Sequence, residues 1–452
     1  MMKSFKSLII ILFLLIRLSV CSQTVSGTFF NLPQQKVYLN ACSGFYVETL
    51  DSVMMSQDKR VDFNTQLTKG MYQLETEYGP TVEFIYDDAP VRMIVKNVYD
   101  NKSIEFIGSQ ANSDWHIYGI FKEQTFKSLN VLKPILRECD AKSDLYATTI
   151  KEYSSLQDKF VAFTDSLILN DNYASTLIRV DRFIPLNLEL DFKRQRENLI
   201  ANFFNDVDFK ELSLIPTTVL TNKIFDFLSI QLTKDQNEEQ KIMALILGCD
   251  NVLNRASVEY EMYKFVYQFL LETFKELRFE EVVDYLTRIP YSEEIECTEE
   301  QYQELLSMAE FNSRAAIGSL AENISGKTVS DKEFSLYDID NDYTIVYFWS
   351  YTCEHCRENI KDLKLFLDEN PNFTLVAVSV KGDLKKIKNI IKKNKIDGFF
   401  YHDGLEWDCP YVDAYAVTAT PSFFILDKDK KIVYKPFDFK ELVNFVNLIV
   451  KQ

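Results

Sequence analysis

The sequence predicts a multidomain chain: an N-terminal all-β sandwich or barrel, an all-α middle, and a C-terminal α/β domain. Three observations predict it. Short apolar runs separated by turn residues fill positions 23–110, as regular short strands do. Apolar residues then recur every three or four positions through 111–311. From 312 to 452 buried-strand patterns alternate with amphipathic helical ones around Cys353-Glu354-His355-Cys356. The length of 452 residues exceeds what one core serves, and 46% apolar content with 14% aromatic residues supplies enough packing surface for several.

Residues 1–22 read as a leader. Lys3 and Lys6 form a basic start, and Leu8 to Ile16 is an apolar run too short to span a bilayer. Val20-Cys21-Ser22 places small residues for cleavage before Gln23. The other reading takes Leu18-Ser19-Val20-Cys21 as a lipid-attachment box, with Cys21 acylated. Either way the expectation is an exported protein, without a transmembrane helix in the mature chain.

In the β-rich part, Val37–Leu39, Phe45–Val47, Met71–Leu74, Thr81–Ile85 and Ile104–Ile107 lie between breaks such as Asp87-Asp88-Ala89-Pro90. This spacing suggests an antiparallel sandwich or barrel. His116, beside Trp115, is expected to pack rather than to bind a ligand.

The period then changes. Tyr153, Leu156, Phe160, Phe163 and Leu167 mark a long amphipathic helix, and further helices are expected at about 192–205, 219–232, 240–253, 258–275 and 279–288. Pro185, Pro216 and Pro290 mark breaks. The aromatic residues here (Phe203, Phe204, Tyr260, Tyr263, Phe265, Tyr267 and Phe269) fit a helical core better than a partner-binding groove.

In the last block Thr344-Ile345-Val346-Tyr347-Phe348-Trp349 carries no strong polar break, as a strand covered on both faces does. Ile360, Leu363, Phe366 and Leu367 follow at helical spacing and stop at Asn370-Pro371. Around this pair the pattern predicts a short strand at 334–338, a buried strand at 373–380 and a helix over 383–394 capped by Asp383, with Leu384, Ile387, Ile390 and Ile391 inward. A hairpin of 422–427 with 432–434 and a final helix opened by Asp438 and Glu441 complete it. The order is βαβαββα. The lysines of the 383–394 helix are expected to form a solvated face.

The charge balance of 50 basic against 67 acidic residues, a net of −17, leaves no basic stripe for a nucleic-acid backbone. Of the eight cysteines, Cys21 belongs to the leader, and Cys42, Cys139, Cys249, Cys297 and Cys409 are scattered singly. That is no disulfide framework for a chain of this size.

Two cysteines separated by two residues therefore sit where a buried strand turns into a helix. The unpaired N–H groups and dipole of a helix N-terminus favour a thiolate at Cys353, and Cys356, one turn in, can attack a mixed disulfide formed on it. The other reading, half a zinc site, needs a second ligand pair. The nearest candidates, His402 and Cys409, form no recognised knuckle and lie far along the chain. Dithiol chemistry with no metal or cofactor is the expectation.

Residues 312–452 resemble the thioredoxin superfamily, and most closely the exported TlpA- and ResA-like thiol-disulfide oxidoreductases. The resemblance rests on Ile317-Gly318, Phe348-Trp349, the Cys353–Cys356 motif and Thr420-Pro421 ahead of the hairpin. The parts before residue 312 look like the accessory domains that precede such domains in Gram-negative envelope proteins. The resemblance implies Cys353 and Cys356 as the catalytic dithiol and a cis Pro421, with Thr420, Pro421 and Trp349 at the substrate. His355 and Glu354 would tune the thiols, a cationic imidazole beside Cys353 stabilising its thiolate. Two positions depart from the pattern. Tyr347 stands where thioredoxins carry a buried Asp, and Asn359 where ResA-type reductases carry a Glu.

The function expected is an exported protein-disulfide reductase of the periplasm or cell envelope. Its partners would be protein or peptide thiols and disulfides, with a membrane protein as candidate electron donor and no nucleic acid. Two alternatives stand beside it. One is an envelope binding or scaffold protein whose front, residues 23–311, does the work. The other is a thiol peroxidase, against which Val346 occupies the place of the motif's proline.

Overall fold

The computed structural model describes residues 24–288, 290 and 295–450. The leader expected over 1–22, with Cys21, lies outside the described residues. By compactness the chain divides into two units, the first running to Phe269 and including Glu296, and the second starting at Leu270 and resuming at Cys297.

The first unit opens with eight strands: β1 (Val25–Phe29), β2 (Lys36–Ser43), β3 (Tyr46–Met54), β4 (Arg60–Phe63), β5 (Gly70–Thr76), β6 (Gly79–Tyr86), β7 (Val91–Val95) and β8 (Ile104–Phe106). They form two four-stranded sheets, ordered β4-β1-β7-β8 and β3-β2-β5-β6. Residues on one face of the strands fill a core between the sheets, among them Val25 and Phe29, Val37 and Leu39, Leu74, and Val82 and Phe84. The sandwich is not wholly antiparallel, because β1 pairs with β7 in parallel. The chain builds the whole second sheet between those two strands, so their connection is long enough for a parallel pairing.

Helices follow: α1 (Gln110–Glu138), α2 (Asp144–Ile168), α3 (Tyr173–Asp181), α4 (Phe192–Asn202), α5 (Val219–Gln231), α6 (Glu238–Ala256) and α7 (Tyr260–Leu277), the last crossing the division between units. Side chains of Ser109, Ser143, Asn172, Asp191 and Asn237 cap the first four helices and α6. Tyr153, Phe160 and Leu167 are buried on α2, as the period requires. Phe203, Phe204, Tyr260, Tyr263, Tyr267 and Phe269 are buried, so these aromatic residues form core rather than groove. His116 also packs, its ring against Phe106 and its Nε2 2.7 Å from the Asn101 carbonyl.

The second unit takes in α8 (Glu280–Arg288) and α9 (Glu299–Ser313). The α/β domain follows, with a small hairpin of β9 (Ser325–Lys327) and β10 (Glu333–Ser335), then β11 (Tyr343–Ser350), α10 (Glu354–Glu369), β12 (Phe373–Lys381), α11 (Leu384–Asn394), β13 (Phe399–Tyr401), α12 (Pro410–Ala414), β14 (Ser422–Asp427), β15 (Ile432–Tyr434) and α13 (Phe439–Val450). The five-stranded sheet is ordered β13-β12-β11-β14-β15. Central β11 runs parallel to β12 and antiparallel to β14. Its odd-numbered residues Ile345, Tyr347 and Trp349 enter one core with Cys356, Ile360 and Leu442, and Val346 and Phe348 enter the other with Tyr415 and Phe424.

Besides the additional β9 and α12, three features differ from expectation. β13 is an extra strand, made from an apolar run too short to be recognised by periodicity. The strand expected over 334–338 ends at Ser335 and continues as a 3-10 turn. Leu384, expected inward, is 42% exposed, because it opens its helix before the buried Ile387 sets the inward face.

Candidate active site

The end of β11 delivers the site. Cys353 is the N-cap of α10, and its Sγ accepts the Cys356 backbone N–H at 3.2 Å. A sulfur thus takes the capping place usually held by an oxygen and satisfies one of the helix's orphan donors. From the other side the Cys353 thiol donates to the Thr420 carbonyl at 3.7 Å. Cys353 is half-buried and Cys356 buried, and both are free thiols.

The loop before the cysteines is held from two directions. The Tyr351 N–H donates to the Lys381 carbonyl at 3.0 Å, and Arg357 Nη1 donates to the Tyr351 carbonyl at 2.8 Å. Gly382, at φ +143°, is required beside it, since a Cβ there would meet the Tyr351 Cβ at 2.7 Å.

Burial pushes the Cys356 thiol up to about 11, the neighbouring Cys353 adding to the effect while the Ser350 backbone and the Thr420 side chain oppose it. Beneath Cys356 lies Tyr347, fully buried and stacked on Phe423 with ring centroids 4.6 Å apart. Its hydroxyl donates to the Cys356 carbonyl at 3.0 Å, and burial and the Cys356 thiol hold it in the neutral form.

The sequence-predicted residues fall into three groups. Cys353, Cys356 and Thr420 come together directly, and the Thr420–Pro421 peptide bond beside them is cis. Glu354 and His355 are on the exposed side of the first turn. The His355 side chain is 85% exposed, and its Nδ1 lies 3.8 Å from the Glu358 carboxylate. Trp349 differs from the expectation that it meets substrate. It is fully buried in the core beneath α10, with its Nε1 unpaired among the described residues, because the strand's alternation turns it inward.

His402 Nδ1 lies 3.2 Å from the Ser379 carbonyl, and Cys409 is buried, its thiol pushed up to about 11 by burial and by Asp403. Among the described residues no cluster of three or more His, Cys, Asp or Glu side chains is arranged to hold a metal ion. Nor is any described helix long and apolar enough to cross a membrane.

Sequence reasoning singled out Tyr347 only as a departure and missed its contact with Cys356. The signal was there, since Tyr347 lies two residues before Trp349 on the strand face that α10 covers.

Residues 341–432 match a thioredoxin-like family. No protein of curated function matches the chain. Among solved structures, a thioredoxin-like protein from Bacteroides caccae is 16% identical over 59% of this chain and 97% of its own, with a TM-score of 0.41. The thioredoxin domain of a thiol-disulfide oxidoreductase from Bacteroides vulgatus is 26% identical over 30% of this chain and 98% of its own, with a TM-score of 0.28. A thiol:disulfide interchange protein from a Bacteroides species is 26% identical over 30% of this chain and 91% of its own, also with a TM-score of 0.28. The C-terminal domain has a thioredoxin-like fold, and it is preceded by a β-sandwich and a helical region.

Proposed function

We propose that this protein is an exported thiol-disulfide oxidoreductase of the TlpA-like kind, acting in the cell envelope on protein or peptide disulfides through Cys353 and Cys356. One observation carries the reading. A half-buried sulfur caps a helix and accepts a backbone N–H, and a second, buried thiol stands one turn behind it. In the reductive direction Cys353, as thiolate, attacks a substrate disulfide and expels one substrate thiolate. Cys356 then attacks the Cys353 sulfur of the mixed disulfide, expels the second and leaves Cys353 and Cys356 joined. A donor dithiol, with a membrane protein as the candidate, returns the pair to the reduced form. Thr420 and Pro421 form the wall beside Cys353 against which the substrate chain docks. The regions 23–110 and 111–311 are accessory domains that precede the α/β domain 312–452.

The order of alkylation tests the assignment. Brief iodoacetamide treatment of the reduced protein is expected to label Cys353 before Cys356, because Cys356 is buried and its thiol is raised to about 11. Peptide mapping that finds Cys356 or Cys409 labelled first would overturn it.

The residues between the cysteines set the charge at the mouth of the site. The His355 imidazole is almost fully solvated and lies beside the Glu358 carboxylate, so water and that carboxylate weaken its hold on the Cys353 sulfur. His355→Ala is therefore expected to move the reduction potential by less than ~30 mV, from a value near thioredoxin's of about −270 mV. Equilibration with glutathione buffers measures both. A shift several times larger would make His355 the principal tuning group, and a potential near about −120 mV would reverse the direction of electron flow.

A further inference from the structure

The resolving step poses a problem that the site's exposed residues do not solve. Cys356 must give up a proton inside the core, where a thiolate is costly. The groups acting most strongly on its thiol are Cys353, Ser350 and Thr420, with no carboxylate among them. Beside it lies the Tyr347 hydroxyl. It is fully buried, its ring is clamped on Phe423, and it already bonds the Cys356 carbonyl at 3.0 Å. A hydroxyl rotor can move its hydrogen between two acceptors without moving its oxygen.

We propose that Tyr347 is the positioning residue for resolution: its hydroxyl ties the Cys356 carbonyl in the resting dithiol and turns its hydrogen bond to Cys356 Sγ as that sulfur becomes a thiolate. The inference rests on the dithiol reading above and adds to it the group that makes the second step feasible. Tyr347 takes no proton itself: its surroundings hold it as the neutral phenol, which donates its hydrogen bond to the sulfur and keeps its own proton. In the step it assists, the Cys356 thiol loses its proton and its sulfur attacks Cys353 Sγ. The Cys353–substrate bond breaks, and its electron pair leaves on the substrate sulfur. The proton released by Cys356 is balanced by the one that this substrate thiolate takes up. A hydrogen bond to an ionised sulfur is stronger than one to a neutral carbonyl, so the switch favours the thiolate when it is needed.

The test separates the two steps in the full-length protein, with glutathione disulfide as probe. Acid-quenched samples analysed by mass follow the glutathione adduct as it forms on Cys353 and disappears on resolution. Tyr347→Phe keeps the ring stacked on Phe423 and removes only the hydroxyl. Adduct formation, measured in a Cys356→Ser background, is expected to keep its rate. Resolution at pH 7 is expected to slow about tenfold, the scale of a lost hydrogen bond to a charged group. The pH midpoint of resolution is expected to rise by about one unit. An unchanged resolution rate and midpoint would overturn the role of Tyr347 while leaving the dithiol reading standing. Equal slowing of both steps would reduce Tyr347 to a packing residue and overturn it too. If the protein with Tyr347 intact formed no adduct on Cys353, the dithiol reading itself would fall, and this inference with it.

Discussion

Cys353→Ser is expected to abolish turnover of a disulfide-bonded peptide, and Cys356→Ser is expected to stop the reaction halfway. The two losses differ in kind. Serine at 353 keeps a group able to cap α10, but its hydroxyl is not a thiolate at neutral pH. The first attack should therefore fall by more than about a thousandfold, the scale on which removal of a covalent nucleophile acts. Serine at 356 leaves the half-buried Cys353 sulfur in place with its N–H donor and the Thr420 carbonyl. That variant should attack once and accumulate a mixed disulfide stable to dilution but not to added thiol. Mass analysis of non-reduced protein after mixing with the peptide reads both results. Residual turnover in Cys353→Ser, sustained by any other cysteine, would move the chemistry away from this site. Normal turnover in Cys356→Ser would mean that an external thiol does the resolving. The scaffold alternative predicts something else again, that partner binding by residues 23–311 survives both substitutions.

Trp349→Ala is expected to destabilise the C-terminal domain by about 3–5 kcal/mol, the range for truncating a large buried aromatic residue. Trp349 is fully buried on central β11, in one core with Cys356, Ile360 and Leu363 of α10. The cavity left by alanine would sit directly beneath the helix that carries both cysteines. Trp349→Phe should cost much less. It keeps most of the apolar surface and also deletes an indole N–H that finds no partner among the described residues, a group that is costly to bury. Urea titration read by protection of Cys356 from alkylation reports on this domain alone. The same pair of variants decides where Trp349 acts. With the side chain buried, Trp349→Phe is expected to leave KM for a peptide disulfide unchanged. A raised KM with unaltered Cys353 alkylation would return Trp349 to the substrate face.

Much of this was legible in the residue order. A run such as Thr344–Trp349 can be covered only on both faces, and Ile360, Leu363 and Phe366 define one stripe of a helix, so a strand–dithiol–helix unit follows from composition and period alone. The α2 stripe of Tyr153, Phe160 and Leu167 was equally local. Such signals survive because they depend on neighbours within a few residues, where the pitch of a helix or the pleat of a strand dictates direction. What stayed hidden depends on pairs distant in sequence. The parallel pairing of β1 with β7 and the short strand β13 are decided by which edges meet. The Thr420 carbonyl reaches Cys353 across 67 positions of chain. Period two put Tyr347 and Trp349 on one face, but only the packing of α10 against β11 decided that Trp349 leaves the substrate and that the Tyr347 hydroxyl ends at Cys356. A side chain's local period says which way it points, and the partner it meets there is set by the three-dimensional packing of elements whose residues carry no mark of one another.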